Sequence, residues 1–411
     1  MHRFLPVLAA CLLTGCSSIP VGDTRIDAEL AAEISRIKAI DNHAHPVRPV
    51  GAGEAADKDY DALPVESLDP ASDPLGMRAD SSALVDAHKA ISKGDKTSAE
   101  YAVKVLDQLG IDIMVANRVS MGPGLPPSRF LWAAYADALM YPLPTDGLVH
   151  DSDHKAFFAL EDRLLQRYYS ESGVTGRPET LDDYLTKVVR ATLERHRAGG
   201  AIAEKFEMAY LRTFEIGDPT RGDAENAWRS GNYKVLQDYI FRFIAQECGR
   251  LGMSVHIHTG AGAGGYYNVA TANPMLLEPL LNDPNLRKTN FVFIHGGWPY
   301  SRQLTALLTK PNAYLDFSGQ GLVLSPNVLA QTIRGWLEYV PEKVLFGTDA
   351  YPYSPDAGWE EIGYAGAHAG RTALGIALTG MMRDGEITRA RAIELARMVM
   401  RENARKLYGL P

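Results

Sequence analysis

The sequence predicts one large α/β domain built as a (β/α)8 barrel, the TIM-barrel architecture, with a long insertion after the first strand. Eight short β-rich segments alternate with amphipathic helical stretches, and eight parallel strands are the number that such a barrel needs. Residues suited to binding metal also follow several of these segments. Such residues are expected where the carboxyl ends of barrel strands meet at one mouth.

The predicted strands are Ile37–His45, Ile111–Val119, Arg129–Ala136, Ala201–Phe206, Ser254–His258, Asn290–His295, Ala313–Phe317 and Lys343–Thr348. The predicted helices are Ser98–Leu109, Leu181–Gly199, Tyr233–Gly252, Pro274–Leu281, Arg302–Lys310, Ser325–Tyr339 and Trp359–Met382. Thr388 is expected to cap a last helix that runs to about Tyr408.

Composition is that of a globular domain, with 46% hydrophobic and 22% charged residues in a chain of 411. The formal net charge is −8 and there are no basic runs, which argues against nucleic acid as a partner. A small-molecule substrate is expected instead. The oligomeric state does not follow from the sequence.

The amino terminus is predicted to be a signal peptide, residues 1–15, preceding a single barrel domain, residues 16–411. Its positive start and short apolar run end on Leu13–Thr14–Gly15–Cys16, which resembles the lipobox of bacterial lipoproteins. Cys16 would then carry lipid and anchor the protein in the cell envelope, and an ordinary signal peptide is the alternative. Of the three cysteines, Cys11 would leave with the signal peptide and Cys16 would carry lipid, so Cys248 would remain alone and no internal disulfide framework is expected.

Residues 46–97 form the long insertion and are rich in Asp, Pro, Ala and Gly. An insertion after the first barrel strand overhangs the catalytic mouth, so this segment is expected to act as a lid or a substrate-selecting loop. A tolerated surface excursion is the alternative.

Histidines at the ends of predicted strands form the candidate metal centre. His43 and His45 lie two residues apart on one strand, so their side chains face the same way. His258 and His295 end the fifth and sixth strands, and Asp349 follows the eighth. His256 would lie one layer deeper than His258 and is expected to pack or to orient a ligand.

This order of residues resembles the amidohydrolase superfamily, and specifically its amidohydrolase-2 branch. The resemblance rests on His43–Ala44–His45, His258 in His-Thr-Gly, His295 in Ile-His-Gly-Gly-Trp-Pro, Asp349 in Phe-Gly-Thr-Asp, and Glu402–Asn403–Ala404 near the carboxyl terminus. It implies one or two divalent ions, with zinc the expected metal.

Lys205, at the end of the fourth strand, is where the resemblance divides. In some relatives a lysine there is carbamylated and bridges two ions, which needs a neutral amine. In a single-metal enzyme Lys205 would instead bind a substrate carboxylate as an ammonium. An ion pair with Glu204 or Glu207 is the third possibility, and alternation along the strand places Lys205 and Glu207 on one face.

The expected reaction is hydrolysis of an amide or ester bond of a small, carboxylate-bearing substrate by a metal-activated water. Asp349 would accept and return the proton, His295 would bind metal or stabilise the oxyanion, and Arg212 would clamp the substrate carboxylate. Non-oxidative decarboxylation of a small carboxylic acid is the alternative reaction. A non-catalytic binding lipoprotein is the remaining alternative.

Overall fold

The computed structural model describes residues 25–48, 67–69, 82–91, 94, 96, 98, 100–122, 124–354 and 357–411. Within these ranges eight parallel strands pair in sequence order into one sheet. They are β1 Ala39–Ala44, β2 Ile111–Arg118, β3 Phe130–Tyr135, β4 Ala201–Phe206, β5 Ser254–His258, β6 Phe291–Ile294, β7 Ala313–Asp316 and β8 Val344–Leu345. The predicted barrel fold is confirmed.

The segment after β8 joins β1 and nearly closes the sheet into a barrel. Asn42 donates its backbone N–H to Phe346 O at 2.9 Å, and Asp349 donates to His43 O at 2.9 Å. Because these bonds tie the two ends of the sheet together, residues far apart in sequence become neighbours at the mouth.

The last helical segment packs under the barrel and closes the end opposite the mouth. Inward-facing Ile40, Val292 and Leu345 form one apolar cluster with Ala404, against which Tyr408 also packs. Since this floor is filled by side chains, the accessible chemistry is confined to the carboxyl ends of the strands.

The helices of the described ranges surround the barrel. They are α1 Ala28–Arg36, α2 Ser82–Ala90, α3 Tyr101–Leu109, α4 Ser152–Glu171, α5 Leu181–Asp183, α6 Ala191–Ala198, α7 Arg221–Ser230, α8 Tyr233–Leu251, α9 Glu278–Asn282, α10 Ser301–Leu307, α11 Gln320–Val323, α12 Pro326–Leu337, α13 Trp359–Arg383, α14 Arg389–Arg397 and α15 Asn403–Tyr408. π-helical segments, Tyr184–Arg190 and Met398–Glu402, join α5 to α6 and α14 to α15. Thr388 caps α14 as predicted, by accepting the N–H of Arg391.

Two helices that the sequence did not predict lie in the middle of the chain. The buried face of α4 is largely aromatic, with Phe157, Phe158, Tyr168 and Tyr169 in the core. The helix α7 is mostly polar and starts with a capping box of Thr220 and Asp223. Neither has a continuous aliphatic stripe, so hydrophobic periodicity gave too weak a signal.

Only part of the predicted insertion, residues 46–97, belongs to the described ranges. Its helix α2 packs near α13, where His88 Nδ1 lies 3.7 Å from Glu361 Oε1. Asp69 donates its N–H to Asp153 Oδ1 at 2.7 Å, at the start of α4. The lid role stays a prediction.

The signal peptide and Cys16 lie outside the described residues. Over the part of the chain that is described, no helix combines the length and the apolar character needed to cross a membrane.

Candidate metal centre

His43, His45 and Asp349 converge at the mouth of the barrel. One possible ligand atom from each lies within 4.8 Å of the other two, the one such trio of His, Cys, Asp or Glu found among the described residues. His43 Nε2 is 3.3 Å from Asp349 Oδ1, and His45 Nε2 is 3.8 Å from the same oxygen. Two ligands of one tetrahedral zinc ion lie about 3.4 Å apart. The spacing therefore fits a divalent ion.

Neighbouring strands hold both imidazoles by their Nδ1 atoms. Tyr135 OH on β3 lies 3.1 Å from His45 Nδ1, and Asn117 Nδ2 on β2 lies 2.8 Å from His43 Nδ1. His43 Nε2 and Asn117 Oδ1 are both buried and have no hydrogen-bond partner. An ion at His43 Nε2 requires the ring proton on Nδ1. A half-turn of the Asn117 amide would bring Oδ1 to accept that proton, and it would give up the bond that Nδ2 now donates to Ala44 O at 3.0 Å.

The backbone is strained at the site itself. Among the described residues, His295 and Asp349 alone have a positive φ without being glycine, at 66° and 57°. Each left-handed residue of this kind costs of order 1 kcal/mol and persists only where the surroundings enforce it. Two such residues at one mouth favour a functional site.

His295 is fixed by the loop after β7. Its Nδ1 lies 2.9 Å from Ser318 O, its N–H donates to Asp316 Oδ1 at 3.0 Å, and its carbonyl accepts from Gln320 Nε2 at 2.8 Å. Because Nδ1–H donates to a carbonyl, the lone pair of the neutral ring is on Nε2. That tautomer suits a metal ligand.

His258 lies beside His295, with ring centroids 4.5 Å apart. Its Nε2 is 3.0 Å from Ala261 O, and its Nδ1 is 3.3 Å from Glu207 Oε2. Burial holds the pKa of His258 well below its usual value, as it does for His43. Both rings are therefore neutral near pH 7, the state that binds metal.

His256 lies one layer deeper, as predicted, at the level of Lys205 in the sheet. Its Nε2 is 2.8 Å from Tyr408 OH, and Tyr408 donates in turn to Asn42 Oδ1. Asn42 Nδ2 donates to Asp316 Oδ2 at 2.7 Å. His256 thus contacts the floor of the barrel and reaches the site only through this chain.

Lys205 is fully buried and donates to Glu207 Oε1 at 2.6 Å. This contact supports the ion pair, one of the three roles that the sequence left open. A carboxylate at this distance stabilises the ammonium, whereas carbamylation needs the neutral amine. The geometry therefore gives the carbamate no support.

Arg212 is engaged in an ion pair in this structure, and its role as a substrate clamp stays a prediction. Its Nη2 is 2.5 Å from Asp238 Oδ1, and both side chains are almost fully buried. Its Nη1 donates to Gln237 Oε1 and its Nε to Thr213 O. With these donors already bonded, the guanidinium forms a structural ion pair with α8.

Asp41 is a site-supporting residue that the sequence reasoning missed. It accepts hydrogen bonds from Thr348 N at 2.9 Å and Thr348 Oγ1 at 2.5 Å, and so ties β1 to the residue before Asp349. Burial raises its pKa to about 7. A charged residue inside an otherwise buried strand was the available signal.

Two further acids lie buried behind Glu207. Asp137 Oδ2 accepts the N–H of Glu207 at 2.7 Å. Glu161, on α4, is 2% exposed, and its Oε2 has no hydrogen-bond partner. Burial raises the pKa of Asp137 to about 8 and that of Glu161 well above its usual value.

Glu161→Gln is expected to stabilise the protein more at pH 8 than at pH 5. Above pH 4.5, the ordinary pKa of a glutamate, the unfolded chain loses the Glu161 proton while the folded chain keeps it. The free energy of unfolding therefore falls as the pH rises. An amide escapes this penalty, which we expect to be worth about 1–3 kcal/mol at pH 8. Urea unfolding at both pH values measures it. Glu179→Gln, the same substitution at an exposed glutamate, is the control, and equal effects of Glu161→Gln at both pH values would contradict the prediction.

The comparisons with known proteins agree with this geometry. A family profile described as Amidohydrolase matches residues 174–410, more than half of the chain. Among curated proteins, none matches the sequence.

Solved structures share the fold at low sequence identity. A protein from Lactobacillus casei assigned as a metal-dependent hydrolase has a TM-score of 0.65 and 16% identity, covering 94% of this chain and 98% of that one. A glucuronate isomerase from Caulobacter crescentus has a TM-score of 0.60 and 14% identity, covering 93% of each chain. A uronate isomerase from Bacillus halodurans has a TM-score of 0.57 and 11% identity, covering 93% of this chain and 96% of that one.

A barrel with this trio at its mouth and a family match over more than half of its length is a metal-dependent enzyme of the amidohydrolase superfamily, and the chain belongs to the amidohydrolase family.

Proposed function

We propose that the protein hydrolyses an amide or ester bond of a small molecule. The observation that carries the proposal is the convergence of His43, His45 and Asp349 within 4.8 Å. A divalent ion held there, which we propose to be zinc, would lower the pKa of a bound water and would polarise a carbonyl.

We assign the proton transfer to Asp349. The histidines of the trio are almost completely buried, whereas the Asp349 side chain is 19% exposed and so faces the mouth. Its Oδ2 is 3.9 Å from His295 Nδ1, outside hydrogen-bonding range. The carboxylate is therefore available to accept a proton from water and return it to the leaving amine or alcohol.

His295 better suits a ligand than an oxyanion donor. Its Nδ1–H is directed at Ser318 O, so Nε2 offers a lone pair. Donating from Nε2 to an oxyanion would require a second proton on the ring. We therefore assign His295 to the metal centre.

The sequence predicted a substrate with a carboxylate because Lys205 or Arg212 could bind one. In the structure Lys205 pairs with Glu207, and Arg212 pairs with Asp238. We retain a small molecule as the substrate and leave its charge out of the proposal.

Oxygen-isotope labelling tests the reaction class. Protein reconstituted with zinc is incubated in H₂¹⁸O with panels of N-acyl amino acids, esters, lactones, aromatic acids and uronates, and the products are analysed by mass spectrometry. We expect a carboxylic acid carrying ¹⁸O in its new carboxyl group, formed only by the metal-loaded protein. Release of carbon dioxide, with no ¹⁸O in the remaining organic product, would replace hydrolysis by decarboxylation. Isomerised product would indicate the reaction of the uronate isomerases, and no turnover with any metal would favour a binding protein.

We also propose that the mature protein is a lipoprotein of the bacterial cell envelope, on the basis of residues 1–15 and Cys16. Wild-type protein is expected to incorporate labelled palmitate and to partition into detergent. Cys16→Ser should do neither and should retain residues 1–15. Equal labelling of both proteins would remove the lipid anchor from the proposal.

A further inference from the structure

The aromatic rings of Tyr210 and Tyr267 lie beside the metal centre. Their centroids are 4.8 and 6.0 Å from that of the His258 ring, and 4.8 Å from each other. Both residues are partly exposed, and they lie in the segments that follow β4 and β5, at the mouth of the barrel. Two aromatic rings therefore border the place where the proposed reaction occurs.

The hydroxyl groups of both tyrosines are bonded to the backbone. Tyr210 OH accepts the N–H of Ala263 at 3.2 Å, and Tyr267 OH donates to Gly260 O at 2.7 Å. Because these bonds hold the polar ends of the side chains against the loop after β5, the rings offer a ligand mainly hydrocarbon. Such a surface favours an apolar group and provides no charge to pair with an anion.

The two rings are also held in place by their neighbours. Phe157 of α4 is buried and stacks on Tyr210, with centroids 4.4 Å apart and planes inclined by 23°. Gly262 lies against Tyr267, since a Cβ there would be 2.5 Å from Cε2 of the ring. Rings that are already fixed lose little conformational freedom when a ligand packs against them.

Asp153, in the first turn of α4, fixes the loop that carries Tyr267. It is 7% exposed, and its Oδ2 accepts the N–H of Tyr266 at 3.0 Å. Its Oδ1 accepts the N–H of Asp69, in the insertion after β1, at 2.7 Å. Gly264 has a φ of +95°, and a Cβ there would lie 2.4 Å from Asp153 Oδ2, so the loop passes directly over the carboxylate. One buried side chain thus ties two segments to α4.

We propose that Tyr210 and Tyr267 form a subsite for an aromatic or other apolar group of the substrate, and that Asp153 is a positioning residue for this subsite. The inference rests on the proposed function and adds to it the chemical class of the group next to the scissile bond. Two partly exposed rings with bonded hydroxyl groups, 4.8 and 6.0 Å from the ring of His258, carry it.

Two hydroxamates test the subsite on the bound metal. Full-length protein loaded with Co²⁺ is titrated with acetohydroxamate, which carries a methyl group, and with benzohydroxamate, which carries a phenyl ring. The visible absorption of Co²⁺ measures binding. Wild type is expected to bind benzohydroxamate at least about 10-fold more tightly, because the phenyl ring is buried against the two tyrosines.

Variants of Tyr210 separate the ring from the hydroxyl group. Tyr210→Ala is expected to lower the affinity ratio of the two hydroxamates to below about 3, with the affinity for acetohydroxamate unchanged. Tyr210→Phe keeps the ring and should keep the ratio. If Tyr210→Ala does not fold, Tyr267→Ala takes its place. A ratio that survives loss of the ring would overturn the subsite.

Asp153→Asn tests the positioning role. An amide accepts only through Oδ1, so one of the two N–H groups loses its acceptor. We expect the affinity ratio to fall at least about 3-fold and amide hydrogen exchange in residues 260–267 to rise. Asp151→Asn is the matched control, because Asp151 caps α4 by accepting His154 N–H at 2.8 Å and asparagine caps as well. Loss of stability in Asp153→Asn with an unchanged ratio would overturn the positioning role.

Benzamide separates this inference from the proposed function, because it carries the ring without a metal-chelating group. Saturation-transfer NMR on metal-free protein should detect its ring protons with wild type and much less with Tyr210→Ala. Wild type that binds Co²⁺ and binds both hydroxamates equally would overturn the subsite only. Wild type that binds no Co²⁺ would overturn the metal centre. In that case a benzamide signal lost in Tyr210→Ala would support the subsite, and equal signals would overturn it.

Discussion

Replacing His43, His45 or Asp349 by alanine is expected to remove bound metal and turnover together. Each variant deletes one of three ligand atoms that lie within 4.8 Å of one another. We expect activity to fall at least about 1000-fold, equivalent to about 4 kcal/mol of lost transition-state stabilisation. Elemental analysis of the dialysed protein, together with steady-state kinetics on any substrate found, measures both effects.

His256→Ala provides the control for losing a buried histidine. His256 is fully buried on β5, and its Nε2 contacts Tyr408 OH at 2.8 Å. This variant should lower thermal stability and keep its metal. If Asp349→Ala also keeps full metal occupancy, Asp349 is a proton acceptor and not a ligand. The metal centre would then keep only His43 and His45 of the trio as ligands.

The strands were predictable because a parallel sheet covered on both faces requires continuous apolar runs. Phe291–Ile294 and Val344–Leu345 are such runs. His295 follows the first run directly, and Asp349 follows the second four residues later. The convergence of His43 and Asp349 followed from the barrel, since all the carboxyl ends of its strands meet at one mouth. Most of the candidate site could therefore be predicted once the barrel fold was predicted.

The partners of the site residues could not be predicted in the same way. Asn117 and Tyr135 reach the two imidazoles only because β2 pairs with β1 and β3 pairs with β2. The pairing of Arg212 with Asp238 was hidden in the same way, because Asp238 lies on α8, 26 residues later in the chain. Contacts of this kind depend on packing between elements, which hydrophobic periodicity does not encode.

The contacts of Lys205 could be predicted only in part. Its pairing with Glu207 was one of the predicted alternatives, because residues two positions apart on a strand face the same side. The sequence did not reveal that Glu207 would turn its other oxygen to His258 at 3.3 Å. That contact depends on β4 lying next to β5, which hydrophobic periodicity does not encode.

Gly260→Ala is expected to destabilise the protein by at least about 3 kcal/mol and to disturb the loop that holds His258. Gly260 has a φ of +80°, and a Cβ there would lie 2.1 Å from Trp298 O and 2.6 Å from Gly297 C. The neighbouring Ala261 donates its N–H to Trp298 O at 2.6 Å and accepts from His258 Nε2. Relieving the clash therefore requires backbone to move, and that movement would rotate His258 away from Glu207.

Gly252→Ala separates strain from steric overlap. Gly252 has a φ of +68° at the end of α8, and a Cβ there would meet nothing within 4 Å. It should cost only the left-handed strain of about 1–2 kcal/mol. Urea unfolding of both variants without metal, followed by Co²⁺ titration, tests the difference. Equal losses of stability and unchanged Co²⁺ binding would show that the Trp298 loop moves freely, and the rigid support assigned here to His258 would be wrong.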